Sequence, residues 1–400
     1  MNEMGMMQPL IGQPATRTSS RRIVKGNWEI YAMTSSALLN EQRLAGGVPL
    51  DHKTSAPKTY RFCNPAILHF GDPEREYQAA KSEAVLFDVS DRAQIEVAGK
   101  DARKFLNNFC TNDIHRLGTG QGCEAFVTNV KGRILAHIFV FVTDGSVWIE
   151  TNRHVEETLL AHFDRYLITE DVQLHSRTDQ FGELFVTGPD SAEKLSSLNI
   201  PVNTLGLFEH AIIDRGDGSL VIRRLDLLGQ LGCVLSVDRT RLSNLWQHLT
   251  ASGIRPGGAE AFHACRIESG FPLHGLDLTD DNLAQEAART QLAISYTKGC
   301  YLGQEPIARI DALGHVNREL RILCLNSTPA PDAGTVIRAE NGREIGVITS
   351  SAMVPGEGRS VALGYVRSSH AESETAVIVR ADDREIPATV LWHEQSTPNR

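Results

Sequence analysis

The hydrophobic positions of this chain change period several times along its length. Glu83–Ser90 leads into Ala93–Gly99, where Ile95 and Val97 alternate with polar neighbours as on a half-buried strand. Ala102, Phe105, Leu106 and Phe109 then recur at helical spacing, with Asp101 placed where a carboxylate favours the positive end of a helix. Strand-like runs follow at 124–129, 134–142 and 147–150, divided by the turn signals Lys131-Gly132 and Asp144-Gly145. Val155, Leu159, Leu160, Phe163 and Tyr166 predict a second helix, and Val172–Leu174 a closing strand. Strand, helix, several strands, helix, strand is a split βαβ, ferredoxin-like order.

A second α/β unit is predicted from Glu183 to about Gly314, with strands at 183–187, 220–225 and 233–237 and helices at 241–250 and 258–268. Beyond Arg318 only short strands are predicted, at 320–325, 335–338, 344–349, 361–366, 376–379 and 388–392, the texture of a small antiparallel barrel or sandwich. The expectation is an α+β chain in four parts: a loose extension over 1–59, a first α/β domain over 60–180, a second over 181–315, and a C-terminal β-barrel over 316–400. No internal repeat or low-complexity tract interrupts this order.

Composition narrows the function. A net charge of −9 over 400 residues argues against a surface built to neutralise nucleic-acid phosphates. No apolar run approaches the roughly 20 residues needed to span a bilayer; the best, Arg133–Val142, holds an arginine and a histidine. The seven cysteines (63, 110, 123, 233, 265, 300 and 324) are scattered without a Cys-x-x-Cys pair, which speaks against a disulfide framework or a zinc site and for a reducing, cytoplasmic compartment. Residues 1–60 carry seven Lys/Arg against four acids but no apolar signal core or amphipathic arginine helix, so they read as an extension, with Met33 as an alternative start.

The most informative segment is Lys298-Gly299-Cys300-Tyr301-Leu302-Gly303-Gln304-Glu305. Glycines let a ligand approach the main chain, and an ammonium near a thiol raises its thiolate fraction. The competing interpretation is an inert, buried cysteine of the usual kind. Arg266 in Arg266–Leu273 has the fork to grip a carboxylate, or an internal Arg–Glu pair that holds a loop. Phosphate-binding loops, nucleophile elbows, His-Glu-x-x-His and Rossmann glycine fingerprints are all absent.

Taken in order, several segments resemble the glycine-cleavage T-protein (aminomethyltransferase) superfamily of folate-binding proteins, from about Tyr60 to the C-terminus. They are Phe87–Ser90, Asn107–Asp113, Gly253–Gly258 with Arg266–Gly270, Gly346–Ser350 and Ala362–Val366. Within it, Lys298–Glu305 resembles the signature of the YgfZ branch. The resemblance implies three domains in a ring, two ferredoxin-like α/β domains and a barrel, around a channel that receives tetrahydrofolate or a derivative. It implies Arg266, Gln230, Asn129, His137 and Glu268 as cofactor-binding residues. Cys300 and Lys298 are then the catalytic pair, with Gly299, Tyr301, Gly303, Gln304 and Glu305 supporting the loop and no metal site. The YgfZ branch is associated with assembly or maintenance of iron–sulfur proteins, including radical enzymes of tRNA modification, so iron–sulfur clients are the implied partners.

Two departures bear on activity. Ala136 and His137 stand where T-proteins carry an Asp pair that assists one-carbon transfer, and Gln230 stands where they carry a pterin-binding Glu. Losing those carboxylates removes the obvious electrostatic partner of a folate amine. The alternative to the iron–sulfur role is a tetrahydrofolate-dependent aminomethyl- or methyltransferase of one-carbon metabolism, with His137 as proton carrier.

Overall fold

A computed structural model of the chain describes residues 36–50, 67–381 and 384–392. Three β systems make up its frame. The first is a five-stranded antiparallel sheet, ordered Gly122–Thr128, Ile134–Val142, Ser146–Asn152, Arg92–Ala98, Gln173–Ser176. Helices Ala102–Asn107 and Glu156–Asp164 close one face, where Phe105, Leu106, Leu159 and Phe163 pack on Ile95, Val97, Ile138 and Ile149. The periodicity of 93–174 is therefore realised as a sheet with two helices, as expected.

The second sheet has six strands, ordered His210–Asp214, Ser219–Asp226, Leu231–Asp238, Phe181–Thr187, Val85–Asp88, Arg255–Pro256; only the last pair is parallel. Val85–Asp88, placed by sequence order in the first unit, thus joins the second sheet. Its run is buried on both faces, with Val85 and Phe87 in a central apolar cluster and Ala84 and Leu86 in another, as suits an interior strand. The helix Pro73–Ser82 precedes it, capped by Asp72 accepting from the Arg75 amide and with Pro73 at its first position. Its Asp-Pro start is a helix signal not drawn from the sequence above. Ser36–Leu44, within the span expected to be loose, is also helical, and its Leu38 is buried beside Leu242 and Trp246.

The third system is a closed antiparallel barrel of six strands: Arg318–Leu325, Ser360–Arg367, Glu344–Met353, Val336–Arg338, Ala376–Ala381 and Arg384–Leu391, which returns to the first. Strand alternation splits its side chains. Leu323, Leu325, Val366 and Val379 fill the barrel, while Leu320, Ile322, Leu363 and Tyr365 face outward onto the rest of the molecule. The outward set meets Phe139 and Phe141 of the first sheet, Leu225 of the second, and Phe208, Leu227, Phe262 and Phe271. All three systems share this apolar hub. The architecture matches the expected α+β arrangement of two α/β units and a β-barrel. Among the described residues no helix is long and apolar enough to cross a membrane.

Candidate functional site

Polar groups in the hub are few, so each must be accounted for. Glu124 is a charged residue in an otherwise small-and-apolar strand, and it is fully buried. Arg289 donates Nε to its Oε1 at 2.6 Å and Nη2 to its Oε2, and Nε2 of His137 lies 2.7 Å from Oε1. Burial pushes the Glu124 carboxyl up, but Arg289 and His137 outweigh it and hold the value at about 2. Burial lowers His137 below the ordinary histidine range, against the pull of Glu124. A neutral imidazole beside an ionised carboxylate must carry its proton on Nε2, because the carboxylate only accepts. Nδ1 is then a lone-pair acceptor, and it has no hydrogen-bond partner among the described residues. The ring itself lies between Phe126, Phe139 and Phe271.

Asp226, at the end of its strand, is within electrostatic reach of Arg289 and Glu124. Burial raises its carboxyl above the usual range, while Arg289 and the backbone N–H groups of Gly229 and Gln230 pull it down. Its Oδ1 is sealed from solvent and accepts no hydrogen bond among the described residues. The hub therefore offers an aromatic wall, a free imidazole lone pair and a free carboxyl oxygen. Those two acceptors beside an aromatic wall suit a flat heterocycle rich in N–H groups. Sequence reasoning missed Glu124, Asp226 and Arg289; the one available signal was a glutamate inside the apolar strand Gly122–Thr128.

The expected cofactor-binding residues fall in different places. His137 is in the hub. Arg266 is fully buried, and its guanidinium is spent inside the protein: Nη1 donates to Asp277 Oδ2 at 2.8 Å and to the Phe271 carbonyl, and Nε to His263 Nδ1. Asp277 in turn accepts from Thr349 and Ser350 of the barrel, so the pair bolts helix Ala259–Glu268 to the barrel wall. The internal-pair interpretation of Arg266 describes this geometry, with Asp277 rather than a glutamate as partner. Glu268 likewise binds protein, accepting from Tyr77, Lys81 and Arg359; burial raises its carboxyl, but these partners leave it below its ordinary value. Gln230 donates Nε2 to the Ala80 carbonyl at 3.2 Å. Asn129 accepts from the Lys131 and Arg133 amides and shapes the turn between two strands of the first sheet.

The Lys298–Glu305 loop is a separate feature. Nζ of Lys298 donates to the carbonyls of Asn107, Cys110 and Asn112 at 2.7, 2.6 and 2.8 Å and lies over the ring of Tyr301. Its ammonium is held below the ordinary lysine value by burial, and the thiols it acts on are Cys110 and Cys123. The expected pairing of Lys298 with Cys300 is therefore replaced by a latch onto the 107–112 turn. Further along, the Leu302 amide donates to the Asn108 carbonyl, and Thr128 Oγ1 to the Leu302 carbonyl. Gly303 adopts φ +86° and passes against Asn129 and Thr128, where a Cβ would sit 2.5 Å from Thr128 Oγ1. Tyr301 is buried with Phe126 and Ile134, and Gln304 opens helix Gln304–Leu313 with Glu305 exposed behind it. Between these anchors Cys300 is exposed, and Gly299 has open space around it. Of the other described cysteines, four are buried and Cys324 is half-buried. No residue of 298–305 belongs to the hub cluster. Among the described residues no group of three or more side chains could hold a metal ion.

Comparison with known proteins agrees with the fold. A family model described as the GCVT N-terminal domain matches residues 55–298, and one described as the glycine cleavage T-protein C-terminal barrel domain matches 318–393. The aminomethyltransferase of Rubrobacter xylanophilus is 27% identical over 326 residues, covering 81% of this chain and 86% of that protein. The probable aminomethyltransferase of Natronomonas pharaonis is 27% identical over 333 residues, covering 81% and 91%. Among solved structures, the glycine cleavage system aminomethyltransferase T from Bartonella henselae superposes with a TM-score of 0.77 at 22% identity, covering 91% of this chain and 99% of that one. Cys300 lies in the stretch 299–317 that falls between the two matched spans.

Proposed function

The chain belongs to the glycine-cleavage T-protein family, and on that footing we propose that it binds tetrahydrofolate in the hub and supports iron–sulfur proteins through Cys300. The observation that carries this reading is the presentation of Cys300: the exposed thiol among the described cysteines, on a loop pinned at Lys298, Leu302 and Gly303, outside both matched family spans. A thiol displayed in this way can reach another protein, whereas buried cysteines cannot. Folate suits the hub because His137 Nδ1, on a ring that lies against Phe139 and Phe271, and Asp226 Oδ1 are acceptors this chain leaves unfilled. One cysteine does not make a permanent cluster site, which normally takes four ligands, so iron–sulfur proteins are clients. Any link to tRNA modification runs through such clients, and the protein works in the cytoplasm. The test is Cys300→Ala in cells that depend on this protein. Loss of iron–sulfur client activity, with the protein still folded and abundant, supports the reading; full activity refutes it.

A second reading has support in the names of the relatives and in the free lone pair of His137: folate-dependent aminomethyl or methyl transfer with an imidazole in place of the carboxylate. It requires steady-state turnover of a folate-linked one-carbon donor that His137→Ala abolishes.

A further inference from the structure

The turn Leu273–Leu278 combines one fully satisfied polar residue with one unsatisfied one. Asp277 accepts from Arg266, Thr349, Ser350 and the Leu273 amide, and its carbonyl accepts from the Tyr365 hydroxyl at 3.0 Å. Three residues earlier, His274 is 7% exposed and hydrogen-bonded only through Nδ1, which lies 3.1 Å from Nε2 of His154 with the two rings stacked. The turn is shaped around this pair: Gly275 adopts φ +86°, and a Cβ there would lie 2.5 Å from His154 Nε2. Nε2 of His274 is sealed from solvent and meets no partner among the described residues. A desolvated, unpaired nitrogen is costly, and here it sits in a turn whose other polar needs are met by the protein itself. The flanking Leu273 belongs to the hub cluster and Leu276 packs against it, and the ring is close enough to His137 for a charge there to disfavour its own protonation.

We infer that His274 is a ligand-contacting residue of the hub, whose Nε2 hydrogen-bonds a polar ring edge of the bound heterocycle. His154 is its positioning residue, fixing the ring and the tautomer through Nδ1. Both imidazoles are held neutral by burial, so one ring donates and the other accepts between them. The inference rests on the folate reading and adds to it a residue from the Leu273–Leu278 turn, outside the strands that carry His137 and Asp226.

The experiment is calorimetric titration of tetrahydrofolate into wild type, His274→Phe and His274→Gln, with ring-¹⁵N histidine spectra of the full chain with and without tetrahydrofolate. Phenylalanine keeps the ring's packing and removes the nitrogen, whereas glutamine keeps a polar atom near Nε2. The expected result is binding about tenfold weaker in His274→Phe, recovery to within about threefold in His274→Gln, and a ligand-dependent shift of His274 Nε2 in wild type. Should His274→Phe fail to fold, the wild-type nitrogen shift decides alone. Wild-type binding with an unmoved Nε2 and unchanged affinities overturns the inference and leaves the folate reading standing. No binding by wild type overturns both.

Discussion

Replacing Lys298 by methionine separates two roles for the lysine of the Lys298–Glu305 loop. In wild type its ammonium donates three hydrogen bonds of 2.6–2.8 Å to the carbonyls of Asn107, Cys110 and Asn112. Methionine fills most of the volume but leaves those three acceptors without their donor. Each orphaned buried group costs about 1–3 kcal/mol, and relief of the ammonium's own desolvation returns part of the sum. A net loss of about 3–5 kcal/mol is expected, concentrated where the loop meets the first sheet. Because a chain of three structural systems need not unfold in one step, the assay is hydrogen exchange resolved by peptide, alongside urea unfolding. Protection should fall over 107–113 and 298–304 and persist in the barrel. The rate of Cys300 alkylation at fixed pH should change by less than about threefold, since Nζ is committed to carbonyls. Unchanged protection together with a tenfold drop in alkylation would refute this and make Lys298 the activator of the thiol.

Other perturbations follow from the same geometry. Arg266→Ala leaves Asp277 buried without its guanidinium and should cost about 3–5 kcal/mol in urea unfolding, a figure under 1 kcal/mol being incompatible with a buried latch. Glu183 shares the Arg223 guanidinium with Glu150, the distances being 3.1 and 2.5 Å, and burial with the neighbouring Glu150 raises its carboxyl well above the ordinary value. The folded state then holds a proton that the unfolded chain releases, so this contribution to stability is present at acid pH and lost as pH rises toward the folded value. Glu183→Gln should therefore gain stability over wild type at pH 8 and lose that advantage toward pH 4, as thermal unfolding at both values would show. Gly303→Ala should destabilise the loop by more than about 2 kcal/mol through its positive φ and the Thr128 contact, while Gly299→Ala, with open space around it, should be near neutral by the same unfolding assay.

Much of the fold was legible because period and burial coincide. Ile95 and Val97 alternate as they do because one face of their strand packs on helices, and the short runs after Arg318 close into a barrel whose inner and outer residues also alternate. The strand Val85–Asp88 was harder to place: a run buried on both faces carries no alternation to say which sheet it joins. Cys300 stood out through its glycine and lysine neighbours, but the direction of Lys298 depends on the 107–112 turn, almost two hundred residues away. Arg266 shows the same limit, since nothing local tells an arginine for a ligand from one for Asp277. Asp226 escaped notice because Arg289 and Glu124, which lie within its electrostatic reach, are far from it in sequence.

The most direct test of the central claim is calorimetric titration of tetrahydrofolate into the full chain, in wild type and His137→Ala. The hub geometry predicts saturable binding at one site in wild type, weakened in the variant that loses the Nδ1 acceptor. Absence of saturable binding in wild type would contradict it and remove folate from the proposed function.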